Sequence, residues 1–351
     1  DRARLGRGRI AAVSGFSGHA TGGAMRVLIT GATGFTGGHL ARSLRRKRHD
    51  VVALVRQRDR RSAALEADGI RLADGDLREG VRLRSALAGV EIVYNIAAIY
   101  RQASAAQAEY HAVNASGVAW LVEAAAAAGV KRVVQCSTVG VHGDVEHPPA
   151  NEDAPLRPGD EYQRSKLAGE HAAAEAAKRA GIELTIARPS GIYGPGDGRL
   201  LKLFRGVVRR RFVILGSGAI FYHLTYVDDL VEGFRLCGEV PAAAGRTYIL
   251  AGGEVTTLVE LVARIARQAG VAPPGLRLPV WPFWMAGALC EAVWVPLHIE
   301  PPLYRRRVDF FTKSRAFDIS RARAELGYAP AVGLDEGIRR TLAWYRAQGW
   351  L

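Results

Sequence analysis

The sequence predicts an α/β fold, a doubly wound parallel sheet followed by a smaller C-terminal α+β lobe. Three observations carry this. Short apolar runs alternate with helix-length segments between residues 26 and 187. The first run ends directly in a turn with glycines at 31, 34 and 37. After Pro189 the rhythm breaks into Gly/Pro-rich and mixed segments. Strands that alternate with helices pair in parallel, with helices on both faces of the sheet.

In order, Arg26–Thr30 is an apolar run closed by glycine, the pattern of a strand buried on both faces. Phe35–Arg48 follows as a helix. Val51–Val55, Ile70–Leu72 and Glu91–Ile96 continue the strands. Gln107–Ala128 is Ala-rich and predicts one helix, Arg132–Cys136 a strand, Glu161–Ala180 a long helix and Glu183–Ala187 another strand. Beyond Pro189 the pattern gives helices near Leu200–Arg210, Asp228–Cys237, Thr257–Ala269, Pro282–Val295, Ser320–Leu326 and Leu334–Arg346. It gives strands near Phe212–Leu215, Leu224–Val227 and Thr247–Leu250, with Tyr226–Leu250 returning to the main sheet.

The bulk numbers exclude several classes. The chain has 351 residues, 48% hydrophobic and 23% charged, enough for a large core. Its net charge is +14, but no nucleic-acid motif accompanies the basic clusters, so nucleic acid is not an expected partner. Cys136, Cys237 and Cys290 lie far apart without metal-ligand or disulfide spacing, so no metal is expected and a cytoplasmic location is. Residues 1–24 carry no apolar signal core, and Met25 stands directly before the first strand. They read as a disordered N-terminal extension. The Trp-rich stretch Val280–Ile299 is broken by Pro282, Glu291 and Pro296, so it does not span a bilayer. Its Trp281, Phe283, Trp284, Met285, Trp294 and Leu297 suit an apolar substrate wall or peripheral contact with a membrane.

Residues 30–37 read T-G-A-T-G-F-T-G. Gly31 permits a tight turn off the strand, Gly34 lets backbone approach a pyrophosphate, and Gly37 lets the helix pack close. The helix start then offers free N–H groups to the phosphates. This strand–turn–helix context predicts a Rossmann dinucleotide site. Its cofactor-binding residues are Gly31, Thr33, Gly34, Phe35, Thr36 and Gly37, with Asp76 after the third strand. An acid at the end of the second strand would hold a ribose 2′-hydroxyl. Here stand Arg56, Arg58, Arg60 and Arg61, which favour a 2′-phosphate, so NADP(H) is expected over NAD(H).

Tyr162 and Lys166 are four apart in a predicted helix and share a face. A free phenol titrates near ~10, and a neighbouring ammonium favours its ionised form. Thr138 follows the Arg132–Cys136 strand at the sheet's carboxyl edge, where it can donate to a substrate carbonyl; Ser137 is the alternative.

These residues, with G-D-L at 75–77, N-I-A-A at 95–98, H-A-V-N at 111–114, R-P-S-G-I-Y-G-P-G-D at 188–197 and Y-V-D-D-L at 226–230, resemble the extended short-chain dehydrogenase/reductase superfamily, the NAD-dependent epimerase/dehydratase family. The resemblance covers Met25 to Leu351. It implies Thr138, Tyr162 and Lys166 as catalytic residues and Asn114 as their support. It adds Leu77, Ala97, Ala98, Ser137, Tyr162, Lys166, Pro189 and Ser190 to the cofactor site, with Lys166 also holding the nicotinamide ribose hydroxyls, and it implies a homodimer. It divides the chain into a Rossmann domain (25–189 with 221–251) and a substrate-binding lobe (190–220 with 252–351).

Sugar-nucleotide members carry Asn at Gly191 and Arg near Tyr222 to hold a diphosphate, and both are missing here. Arg209–Arg211 or Arg305–Arg307 are the compensating candidates. The E-P-P-L-Y-R-R-R stretch and the segment around Tyr222 are more similar to the 3β-hydroxysteroid and sterol-4-carboxylate branch. The expected reaction is hydride transfer between nicotinamide and a secondary alcohol or ketone of a sterol-like or long-chain 3-oxo substrate. Tyr100, His142, Gly191, Tyr222 and His223 are candidates to face that substrate. The alternatives are a nucleotide-sugar 4-epimerase or dehydratase, and a non-catalytic dinucleotide-binding regulator.

Overall fold

A computed structural model describes residues 23–100, 107–294, 302 and 305–351. The expected disorder of residues 1–24 falls, apart from Gly23 and Ala24, outside the described residues. Side chains of residues 80–82, 306 and 307 are likewise outside.

Apolar runs that need burial on both faces set the main sheet. β1 (Arg26–Thr30), β2 (Asp50–Val55), β4 (Ile92–Asn95) and β5 (Arg132–Cys136) are almost wholly buried. With β3 (Arg71–Asp74), β6 (Glu183–Pro189) and β10 (Thr247–Leu250) they form one seven-stranded sheet, in the order β3-β2-β1-β4-β5-β6-β10. All its pairings are parallel. One face is covered by α1 (Phe35–Arg46) and α8 (Val227–Glu239), the other by α3 (Gly80–Ala86), α5 (Gly117–Ala127) and α6 (Glu161–Ala180). α2 (Arg60–Ala67) links β2 to β3. The expected Rossmann sheet with a smaller C-terminal α+β region is what the chain adopts.

The segment expected as one helix over 107–128 is interrupted. α4 (Gln107–His111) passes through a π-turn at Ala112–Ser116 before α5. The reason is Asn114, which is fully buried and turned inward: its amide bonds the backbone of Ile99 and the Ser165 hydroxyl at 2.9–3.1 Å. Such turns are typical where a helix must aim one side chain.

The smaller region has its own core. A three-stranded sheet of β7 (Gly191–Tyr193), β9 (Phe221–Tyr226) and β11 (Val255–Thr257) packs against α7 (Leu201–Val208), α9 (Leu258–Ala269) and α13 (Leu334–Ala347). β8 (Ile214–Leu215) pairs with β12 (Arg277–Leu278). α10 (Trp281–Trp294), α11 (Arg305–Thr312) and α12 (Ser320–Leu326) complete it. Among the described residues no helix is long and apolar enough to cross a membrane.

Arg132 ties β5 to its neighbour β6 and to the end of α8. It is buried at the start of β5, where its guanidinium donates to the carbonyls of Gly238 (3.0 Å) and Val240 (2.6 Å) at the end of α8 and to Glu183 (2.8 Å). A cation there complements the negative end of the helix and pairs its orphan carbonyls. Arg132→Met is expected to lower unfolding free energy by about 3 kcal/mol, because it leaves buried carbonyls unpaired. Urea denaturation measures this, and dinucleotide affinity should be unchanged.

Candidate active site

The carboxyl ends of β1 and β4 are neighbours from which the chain leaves in opposite directions, which opens a crevice in sheets of this order. A cleft of about 870 Å³ begins there and runs to the smaller region. The crevice floor is fixed by a buried polar chain. Thr30 donates to Asn95 (2.5 Å), Asn95 to Gln135 (2.7 Å) and Gln135 to the Cys136 carbonyl (3.1 Å), while the Ala97 N–H donates to Thr30 (3.0 Å).

The glycine turn is packed too closely against its own backbone to carry side chains at Gly31 and Gly37. Gly31 has φ +67°, and a Cβ there would lie 2.8 Å from the Ala97 backbone. A Cβ on Gly37 would lie 2.3 Å from the Gly31 carbonyl. Thr33, Gly34, Phe35 and Thr36 line the cleft with this turn, and Ala97 and Ala98 line it beside Gly31. Arg56, Asp76 and Leu77 line the far end of the crevice. Asp76 is held by Arg78 (2.6 Å), whose hydrogen bonds pull its carboxyl below the usual range.

Toward the smaller region the cleft is bordered by Ser137, Thr138, Tyr162, Lys166, Pro189 and Ser190. Lys166 is 1% exposed and donates to the Cys136 carbonyl. Burial pulls its pKa down, opposed by Cys136 and Glu170. The Thr138 hydroxyl accepts from the Gly140 N–H (3.0 Å), which leaves its proton to donate. Among the described residues the buried Ser137 hydroxyl has no hydrogen-bond partner, an orphaned group that a ligand in the cleft would satisfy. Tyr162 is half-buried, with Tyr100 edge-on at 4.9 Å. The donor set and the open turn therefore fit a dinucleotide.

Tyr100, Gly191, Tyr222 and His223 also line the cleft. Asn114 does not line it and acts from behind, between the Ile99 backbone and α6. His142 is not on the cleft wall either; its ring meets the Pro155 carbonyl and Arg188, both at 3.3 Å. His223 is saturated by Gly252 (2.8 Å) and Phe317 (3.3 Å).

The compensating cations are only partly where sequence suggested. Arg209–Arg211 are not on the cleft wall, Arg305 is but pairs with Glu291 (2.7 Å), and the side chains of Arg306 and Arg307 lie outside the described residues. Sequence reasoning missed Arg199, Lys313 and Arg315, which do line the cleft. Lys313 and Arg315 have no motif signal, because they come to the site from over 140 residues beyond Tyr162 in the chain.

A Rossmann sheet, a glycine turn at its crevice and a Thr/Tyr/Lys set at its carboxyl edge define an NAD-binding oxidoreductase or epimerase. The NAD dependent epimerase/dehydratase family matches residues 27–251, and the chain belongs to it. A 2-alkyl-3-oxoalkanoate reductase from Stenotrophomonas maltophilia (strain K279a) is 30% identical, covering 91% of this chain and 99% of that one. Among solved structures, MoeE5 in complex with UDP-glucuronic acid and NAD is 27% identical, with TM-score 0.71 and 92% and 99% of the two chains covered. DesIV, a dTDP-glucose 4,6-dehydratase from Streptomyces venezuelae with NAD and TYD bound, is 26% identical, with TM-score 0.73 and coverage of 93% and 98%. These likenesses fix the family and not a branch within it.

The expected preference for NADP(H) is overturned: both of these structures hold NAD. The arginine cluster also offers less free charge than the sequence suggests. Arg58 is taken by Asp74 of β3 (2.9 Å), Arg61 by Asp59 (3.2 Å), and Arg56 shares its field with Asp76.

Gly37→Ala is expected to push the turn off the helix and weaken NAD binding by roughly tenfold or more, about 1.4 kcal/mol, by fluorescence titration. Burial depresses the pKa values of His39, His142 and His223 below their usual 6.5. The unfolded chain therefore takes up protons first. Their contribution is complete above about pH 6.5 and is lost as pH falls through that value toward the folded-state pKa values. The urea midpoint should decline between pH 7.5 and pH 5; a flat profile would contradict this.

Proposed function

We propose that this chain catalyses NAD-dependent hydride transfer at a secondary alcohol or ketone carbon, with Tyr162 as the proton donor and acceptor. The observation that carries the reading is the meeting of Tyr162, the buried Lys166, Thr138 and the unpartnered Ser137 hydroxyl on a cleft that starts at the glycine turn. NAD, when bound, supplies a hydride acceptor at C4 of its nicotinamide ring.

The chain's own residues do the rest. Gly31, Gly34, Gly37 and the first N–H groups of α1 hold the pyrophosphate, flanked by Thr33, Phe35 and Thr36. Arg56, Asp76 and Leu77 border the adenosine, Ala97 and Ala98 the middle of the cofactor, and Ser137, Pro189 and Ser190 the nicotinamide end. Thr138 donates to the substrate oxygen and orients it. As hydride leaves the carbinol carbon, the Tyr162 oxygen takes the hydroxyl proton; in reverse it returns it. Lys166 binds the ribose hydroxyls and favours the phenolate. Asn114 positions the helix that carries both. Tyr100, Gly191, Tyr222 and His223 border the substrate.

For the substrate, the likeness to solved structures favours a nucleotide sugar, with 4-epimerase or dehydratase chemistry, over the hydrophobic ketone first expected from sequence. A second reading, reduction of a long-chain 3-oxo acid or sterol-like ketone, is supported by the 30% identical reductase and by apolar lining at Ile192, Leu200, Leu224 and Phe310. The proposal extends to a homodimer through α5 and α6. It extends also to membrane contact through the exposed Trp281, Trp284, Met285, Leu289 and Val293 of α10.

Tyr162→Phe should lower kcat by roughly 10²–10⁴-fold with NAD affinity unchanged, and a fully active variant would overturn the assignment. Release of NAD from the denatured protein, with sugar-nucleotide interconversion and no net NADH, supports the epimerase reading. Stoichiometric NADH formation from 3-hydroxy acids supports the reductase.

A further inference from the structure

Several polar groups on the substrate side of the cleft are already committed. Lys313 pairs with Asp309 (3.1 Å), Arg305 pairs with Glu291 (2.7 Å), the Tyr222 phenol bonds the Phe310 carbonyl, and His223 is held at both ring nitrogens. Gln163 is different. It follows Tyr162 in α6, lines the cleft and is only 9% exposed. Its backbone N–H donates to Asp160, the helix cap (2.8 Å). Its side chain reaches back over the same turn, where Oε1 accepts from the Gly159 N–H (2.6 Å). A backbone N–H can only donate, so the atom that meets it is the amide oxygen, and the orientation of the amide is determined. The NH2 group is thereby directed away from Gly159. Among the described residues Nε2 has no hydrogen-bond partner. It lies beside Thr138: a Cβ on Gly140 would be 3.2 Å from Gln163 Nε2 and 3.2 Å from Thr138 Oγ1. Gly140 and Gly159, both on the cleft wall, add no side chains there. An amide donor this deeply buried loses its water when the cleft fills and then needs an acceptor on the ligand.

We infer that the Gln163 amide donates to a second oxygen of the substrate, carried within two carbons of the reacting one, while Thr138 donates to the first. The inference rests on the hydride-transfer reading and narrows its substrate class. A lone alcohol or ketone leaves the buried amide unpaired, whereas a molecule with two oxygens in this relation satisfies both donors. Such a pair has two sources. One is a pyranose ring, with a hydroxyl on the carbon beside the reacting carbinol. The other is a 3-oxo chain, whose acid or ester carbonyl lies two carbons from the ketone.

The test is calorimetric titration with two matched pairs of probes, each with the redox form of the cofactor it cannot react with. UDP-glucose and UDP-3-deoxyglucose are titrated into the NADH-loaded protein. Methyl 3-oxodecanoate and 5-dodecanone, a ketone of matching length without the ester carbonyl, are titrated into the NAD-loaded protein. Wild type should bind the two-oxygen member of one pair more tightly than its counterpart; the sugar pair identifies a hydroxyl and the ketone pair a carbonyl. Gln163→Leu should weaken that member by roughly tenfold and leave the counterpart unchanged. Gln163→Glu keeps an oxygen for the Gly159 N–H but has no donor when ionised, so it should lose the same preference. A Gln163→Glu protein that discriminates as wild type does would reduce Gln163 to a helix-capping residue and overturn the inference. Equal weakening of both members of a pair, or a wild type without preference in either pair, would overturn it too. If Gln163→Leu fails to fold, the Gln163→Glu comparison decides alone. None of these titrations depends on turnover, so failure here leaves the Tyr162→Phe result standing, and the reverse also holds.

Discussion

An ammonium group buried beneath the sheet edge is the constraint on which the site depends. Lys166 has almost no exposure, and its charge is met by the Cys136 carbonyl and the field of Glu170. Burying a charge is costly unless its surroundings are fixed, so α6 has to be held closely. Gly169 allows this: a Cβ there would lie 2.0 Å from the Asn114 carbonyl. Glu170 is locked to Arg188 of β6 at 2.7 and 3.0 Å, and Arg188 also donates to the Glu152 carbonyl. The helix is thus fastened to β6, to the π-turn and to the end of β5, and Tyr162 one turn earlier shares that fixed geometry.

The two ends of the cleft are built on different principles. The dinucleotide end is backbone: glycines, helix N–H groups and the Thr30–Asn95–Gln135 chain that levels the strand ends. The opposite end is side chain, with aromatic and aliphatic groups set around cations supplied by the C-terminal third. A cradle of backbone groups depends little on side-chain identity, whereas a wall of side chains changes its chemistry with every substitution.

What was legible in the sequence follows the same division. The glycine turn was readable because its demands fall on consecutive residues, and Tyr162 and Lys166 were readable because helical spacing alone puts them on one face. The alternating apolar runs gave the sheet for the same reason. Arg58 misled because its partner, Asp74, comes from the next strand and is visible only once β2 and β3 pair. The helix over 107–128 looked continuous because alanine propensity hides the inward turn that Asn114 requires. Arg315 had no pattern at all; it reaches the cleft through a single bridge to Tyr222.

β6 and β10 are adjacent in the sheet, yet between Pro189 and Thr247 the chain builds β7, α7 and β9 of the smaller region. That excursion is closed at its base by a ladder of parallel hydrogen bonds. Both ends of the excursion are held side by side on the sheet, and Pro189, where it departs, lies on the cleft wall.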